Sequence, residues 1–291
     1  MENKFKPFSL NLHGRLFNFT RPAVMGIVNV TPDSFFAGSR TQTAAAIATR
    51  VEQMLAHGVD IIDIGACSSR PGATPVRADE ETERLRQAVP VIRSLAPHIP
   101  LSVDTYNSST AIVAIEELGC DIINDISGCS VDPKMHDTVA RLKAPYILTH
   151  LSGTLSTMES KRDTATTADI DSYTASVIAE MSGLYNTLRI KGVCDIIIDP
   201  GFGFGKTIEQ NYRLLRDLPA LAEAFNAPLL AGISRKSMLT RPLGIDATEA
   251  LNATTAANVI ALAGGASILR VHDVKEARQA IDILQFTTCH N

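Results

Sequence analysis

Residues 101–125 read LSVDTYNSSTAIVAIEELGCDIIND. Leu101–Asp104 is a short run that closes on a carboxylate. Ser108–Leu118 has the composition of a helix and stops at Gly119, a residue suited to the left-handed turn that ends helices. Ile122–Asp125 is a second β-branched run, and it closes on Asn124 and Asp125. The segment is therefore a strand–helix–strand unit whose strands both end in polar side chains.

The same alternation extends in both directions. Further strands are expected at Ala23–Val30, Ile61–Gly65, Tyr146–His150, Ile196–Asp199, Leu229–Ile233 and Ile268–Val271. Most are nearly continuous Val/Ile/Leu runs, the pattern of parallel strands buried on both faces. Helices are expected at Thr43–His57, Asp79–Leu95, Asp132–Leu142, Asp169–Ile190, Thr207–Leu215, Pro219–Phe225, Ala247–Ala263 and Lys275–Gln285. Eight such units predict an α/β fold, a (β/α)8 TIM barrel forming one domain over residues 21–291. A doubly wound open sheet is the runner-up, because alternation alone fits both. Phe5–Thr20 alternates apolar and polar residues around His13-Gly14, so residues 1–20 are expected to form a β-hairpin capping the barrel floor.

Composition limits the function classes. The chain has 291 residues, 45% apolar and 20% charged, which excludes a disordered or fibrous protein. Its net charge of −4 argues against a nucleic-acid partner but leaves room for a local pocket for one small anion. Five scattered cysteines without a C-x-x-C pattern argue against a disulfide framework or structural zinc and for a reducing, cytoplasmic setting. No apolar run reaches the ~18 residues a membrane span needs.

Polar residues crowd the C-terminal end of almost every expected strand, where barrel enzymes build their active sites. Asp104, Asn124 and Asp199 are acceptors or amides at strand tips. Buried carboxylates there want adjacent N–H donors, and a 2-amino-4-oxo heterocycle such as a pterin or guanine offers them. Arg70, Lys236, Arg270 and His272 form a basic set suited to phosphate or pyrophosphate, and Ser237 is placed to open a helix. A purely structural Asp–Arg network is the alternative. Gly201–Thr207 (GFGFGKT) fails the phosphate-loop pattern because Pro200 stands where its first glycine is required. It reads better as a mobile glycine loop with Phe204 as an aromatic wall, or with Phe202 and Phe204 as plain packing. Cys67 reads as a bystander thiol.

Seven motifs occur in order: Asn29–Phe35 (NVTPDSF), Asp63–Gly72 (DIGACSSRPG), Ser102–Thr105 (SVDT), Ile123–Gly128 (INDISG), Asp199–Lys206 (DPGFGFGK), Ser234–Ser237 (SRKS) and Arg270–Val274 (RVHDV). Together they resemble dihydropteroate synthase over about residues 16–285. The resemblance implies a transferase of folate biosynthesis. It joins 6-hydroxymethyl-7,8-dihydropterin diphosphate to 4-aminobenzoate, giving 7,8-dihydropteroate and pyrophosphate. It implies that Asp104, Asn124, Asp199 and Lys236 hold the pterin. Asn29 with Mg2+, together with Ser69, Arg70, Arg270 and His272, would serve the pyrophosphate. Asp33, Phe35 and Pro71 would close around the second substrate, and Phe204 and Ser237 would line the aminobenzoate. It further implies a homodimer inhibited by sulfonamides. The chain departs from the family pattern at Ala66-Cys67-Ser68-Ser69, usually Gly-Glu-Ser-Thr, and at Thr149-His150-Leu151-Ser152-Gly153, usually Met-His-Met-Gln-Gly. Ser267 stands where an acidic residue is common.

The implied mechanism is SN1-like. Cations and Mg2+ stabilise the leaving diphosphate, and Asp104 and Asp199 favour a delocalised pterin cation. Two rival readings remain. One is a pterin-dependent methyltransferase, which would share Asp104 and Asn124 but need a corrinoid partner. The other is a catalytically dead paralogue that binds a pterin or a protein.

Overall fold

The structure is a computed structural model and describes residues 5–30, 40–67, 76–154 and 167–288. Phe8–Leu12 (β1) and Arg15–Phe19 (β2) pair antiparallel, Phe8 opposite Phe19 and Leu12 opposite Arg15. The turn between them is His13-Gly14, with φ of 51° and 84°. Positive φ at both positions is what a two-residue hairpin needs to follow the twist of its strands.

Eight parallel strands follow: Ala23–Asn29 (β3), Ile61–Gly65 (β4), Leu101–Asp104 (β5), Ile122–Asp125 (β6), Tyr146–Thr149 (β7), Ile196–Asp199 (β8), Leu230–Ala231 (β9) and Ile268–Val271 (β10). They hydrogen-bond in the order β8-β7-β6-β5-β4-β3-β10-β9, and a parallel bridge between Ile198 and Leu229 joins the two ends of that row. The sheet thus closes on itself, which rules out the doubly wound alternative. The expected strand at 229–233 is shorter than the sequence implied; only Leu230–Ala231 is laddered.

Helices cover the outside: Arg40–Ala56 (α1), Ala78–Leu95 (α2), Ser108–Glu116 (α3), Met135–Leu142 (α4), Thr167–Ile190 (α5), Ile208–Arg216 (α6), Leu218–Ala224 (α7), Ser237–Leu243 (α8), Leu251–Ala263 (α9) and Val274–Thr288 (α10). Residues 101–125 form the expected strand–helix–strand unit, with α3 ending at Glu116 rather than Leu118 and Gly119 at φ 72° beyond it. The main core lies between these helices and the outward strand residues, such as Ile64, Val103, Leu148 and Ile198.

A second core fills the barrel's N-terminal end. Ile61, Ile122, Ile147, Ile197, Leu230 and Ile268 point inward and meet Leu10, Leu12 and Phe19 of the hairpin. Side chains two apart on a strand share a face. The residues two beyond these isoleucines are therefore also inward: Asp63, Asn124, Thr149, Asp199 and Arg270. An apolar plug thus sits directly below a polar layer, and this step in the strand sequences creates the site.

Candidate active site

The polar layer is organised by one guanidinium. Arg270 Nε donates to Asp63 Oδ2 at 2.7 Å, and its NH2 group donates to Asp104 Oδ2 at 2.6 Å. Asn124 Nδ2 donates to the same Asp63 oxygen at 3.1 Å. Asp63 and Asn124 are buried. Burial raises the Asp104 carboxyl to about 7 against the opposing pull of Arg270. Asp63, on β4, is in the Asp63–Gly72 motif but carried no assigned role. A usable signal lay in its setting: a carboxylate inside Ile-Ile-Asp-Ile, on a strand buried on both faces, must find a cation. Arg270, grouped in the sequence with the cations suited to pyrophosphate, lies in this layer among the carboxylates.

A second cluster faces the first. The carboxylate of Asp199 and the ammonium of Lys236 both lie near the backbone of Gly232. A methyl group there would stand 3.9 Å from Asp199 Oδ2 and 3.8 Å from Lys236 Nζ. Burial raises Asp199, with Lys236 opposing; burial pushes Lys236 down to about 8, with Asp199 opposing. Asp199 Oδ1 also accepts from the Gly201 N–H at 2.7 Å, which turns the chain sharply out of β8. Lys236 Nζ donates to the Phe202 carbonyl and stands 4.3 Å from the centroid of the Phe204 ring. Phe204 packs on Ile126, with Tyr106 and Leu151 beside it. Ser237 follows Lys236 as the first residue of α8.

Asn29, at the end of β3, pairs in register with Gly65, and its Oδ1 lies 3.5 Å from where a Gly65 side chain would begin. Asp104 lies 3.6 Å from the same point, so the missing side chain leaves space between them. His272 contacts Ser234 twice: its ring Nδ1 is 3.1 Å from Ser234 Oγ, and its backbone N–H donates to that oxygen at 3.2 Å. Burial, reinforced by Arg270, pushes the His272 imidazole down to about 4, so it is neutral near pH 7.

Asp104, Asn124, Asp199, Phe204, Lys236, Ser237, Arg270, His272 and Asn29 are thus gathered at the C-terminal end of one barrel. Asp33, Ser69, Arg70 and Pro71 lie outside the described residues. The Cys67 thiol is pushed up to about 12, first by burial and then by Glu81, so it is protonated near pH 7 and a poor nucleophile.

Arg235, inside the SRKS motif, also had no assigned role. Its φ is 56°, and its guanidinium grips Asp273 through two hydrogen bonds of 2.9 Å. It also donates to the carbonyls of Ala247 and Thr248 at 2.6 and 3.0 Å. The loops after β9 and β10 are locked together by that fork.

Residues 25–272 match the model of the pterin binding enzyme family. The chain is 40% identical to dihydropteroate synthase of Synechocystis over 89% of its own length and 88% of that protein. It is 37% identical to dihydropteroate synthase of Escherichia coli, over 94% of each. This chain belongs to the dihydropteroate synthase family.

The bifunctional relatives of the family are longer. The chain is 36% identical to the mitochondrial folate synthesis bifunctional protein of Arabidopsis thaliana but spans only 51% of it. Solved dihydropteroate synthases superpose closely. The Coxiella burnetii protein with pteroic acid gives a TM-score of 0.84 at 34% identity, over 96% of this chain and 98% of that one. The Xanthomonas albilineans protein with 4-aminobenzoic acid gives 0.83 at 36%, over 96% and 97%. The Yersinia pestis protein with a sulfonamide drug gives 0.83 at 34%, over 96% and 99%. The family expected from the seven motifs and the barrel expected from the eight strand–helix units are both borne out.

Proposed function

We propose that the chain condenses 6-hydroxymethyl-7,8-dihydropterin diphosphate with 4-aminobenzoate, releasing pyrophosphate and 7,8-dihydropteroate. The observation that carries this reading is the polar layer: carboxylates, an amide and two cations converge over an apolar floor in one barrel end. Residues 21–291 would form the catalytic barrel domain, with residues 1–20 as its floor.

In this reading the pterin ring enters the layer with its amino and ring N–H donors on Asp104 and Asp199, and with Asn124 and Lys236 on its remaining polar atoms. Ring donors replace Arg270 at Asp104, which frees the guanidinium for the diphosphate. The bond from the exocyclic carbon to the diphosphate oxygen breaks, and its electron pair leaves on the diphosphate. Arg270 and neutral His272 stabilise that charge, together with Ser69 and Arg70. Asp104 and Asp199 stabilise the cation left on the ring, in a site of low polarisability where such charges interact strongly. The arylamine lone pair then forms the C–N bond, and its proton leaves to water. The nucleophile is neutral and weak, so positioning by Phe204, Ser237, Pro71 and Asp33 matters more than a strong base.

Mg2+ fits as a companion of the diphosphate. Among the described residues no group of three or more His, Cys, Asp or Glu could hold a metal, but Mg2+ bound to a substrate phosphate needs only one or two protein oxygens. The exposed amide of Asn29 would be one of them, and the ion would neutralise charge on the leaving group. A homodimer is supported by Ile260 on α9 and by Ile283 and Phe286 on the adjacent α10, all largely exposed apolar side chains. Cys67, Cys120, Cys129 and Cys194 are free thiols, which supports a reducing, cytoplasmic setting. Among the described residues no helix is long and apolar enough to cross a membrane.

Pyrophosphate release from the two substrates tests the reading. Turnover that requires both supports it. Methyl transfer from methyltetrahydrofolate to cobalamin, or pterin binding without turnover, would establish one of the rival readings instead.

A further inference from the structure

Lys206 closes the glycine loop that fails the phosphate-loop pattern, and its side chain does not reach outward for an anion. It is buried, and its ammonium donates to three main-chain carbonyls: His150 at 2.9 Å, Gly201 at 2.7 Å and Phe204 at 3.2 Å. An ammonium has three N–H donors and no acceptor, so every donor is used. One bond reaches the exit of β7. The other two hold the loop's own first and fourth residues.

The loop is pressed against that exit along its length. Gly201 and Gly205 have φ of 68° and 65°. A side chain on Gly201 would collide with the His150 carbonyl, and one on Gly205 with the Ser152 carbonyl. The Ser152 N–H donates to the Phe204 carbonyl at 3.3 Å. The other face of the loop meets Lys236. The Phe202 carbonyl accepts from Lys236 Nζ, the Phe204 ring lies beneath that nitrogen, and a methyl on Gly203 would stand 3.2 Å from Lys236 Cδ. Whatever fixes the loop therefore fixes the direction of the Lys236 ammonium.

We propose that Lys206 is a positioning residue: it clamps residues 201–205 to the end of β7 and so sets the place of Lys236 and the Phe204 ring. This role rests on the assignment of Lys236 and Phe204 to the substrates. Burial works against the charge of the clamp and pushes Lys206 down to about 7, with Asp199 favouring the ammonium and Lys236 opposing it.

A double-mutant cycle separates positioning from mere stability. Lys206→Met and Lys236→Met are made singly and together in the full chain, and pyrophosphate release is followed with both substrates. A displaced loop should cost between ~10-fold and ~100-fold in kcat/KM for Lys206→Met. It should cost at least about threefold less in the Lys236→Met background, because one of the two groups it positions is gone. Full additivity overturns the role, as does a single variant within about threefold of wild type. Wild-type protein without turnover overturns the functional reading and this role together; wild-type turnover with an indifferent Lys206→Met overturns this role alone. If Lys206→Met does not fold, Lys206→Gln, which keeps two N–H donors, replaces it in the cycle. Amide exchange on the unaltered protein gives a second readout. The N–H groups of Gly203 and Phe204 should be protected as strongly as those of β8, and exchange at the rate of an open loop overturns the clamp.

Discussion

Arg270 and Asp63 form a buried ion pair across the barrel interior, with 2.7 Å between Nε and Oδ2. Asp63 also anchors Asn124, so one carboxylate orders two residues proposed to meet substrate. Removing one partner of a buried pair leaves the other charge unpaired. Asp63→Ala should therefore lose about 3–5 kcal/mol of stability. Urea unfolding at pH 7.5, or about that value, checks this. A loss below about 1 kcal/mol would mean that Asp104 alone satisfies the guanidinium.

The Asp104 carboxyl is raised from 3.8 to about 7, first by burial. The folded chain therefore holds this proton more tightly than the unfolded one. Its contribution to stability is full below 3.8, declines as pH rises towards about 7, and is flat above. Ligand binding runs the other way, because the proposed role needs the carboxylate. Pterin affinity should rise by up to about tenfold per pH unit below neutrality and then level off. Asp104→Asn should remove that dependence. Calorimetry from acid to mildly alkaline pH decides, and an unchanged slope in the variant would assign the titration to another group.

His272 is held down to about 4, first by burial and then by Arg270. Its imidazole should show no titration in NMR between about pH 5.5 and 8. The sign for stability follows: a histidine kept neutral in the fold contributes fully above 6.5 and loses that contribution as pH falls towards about 4. A midpoint near 6.5 would show that solvent reaches the ring.

Arg235 fixes two loops through its fork on Asp273. Lysine keeps the charge but not the two parallel N–H groups. Arg235→Lys should therefore lower kcat/KM by about tenfold through displacement of Lys236 and His272. Steady-state kinetics beside thermal melting would test this. A variant equal to wild type in turnover would confine the fork to a structural role.

The barrel was legible because its strands are continuous apolar runs, and the site was legible because polar residues recur at their ends. Asp63 was harder to assign. It lies mid-strand among isoleucines, and only the inward register shared with Ile61 shows that it must meet Arg270. Grouping Arg270 with the cations suited to pyrophosphate says nothing of its depth, and the guanidinium follows the carboxylates inward. Lys206 was obscured by its motif. Beside glycines a lysine reads as an anion ligand, while here its partners are carbonyls from residues 150, 201 and 204, brought together only by the fold. Helix α8 was visible at Ser237, but Pro242 within its seven residues hides its extent.

The hairpin seals one end of the barrel with Leu10, Leu12 and Phe19. A vessel with a stopper at the bottom has a single doorway, and the doorway dictates the queue. The deeper guest must come in before the shallower one and cannot depart past it. Under the proposed chemistry the heterocycle enters ahead of the arylamine, and excess arylamine occupying the doorway should delay it.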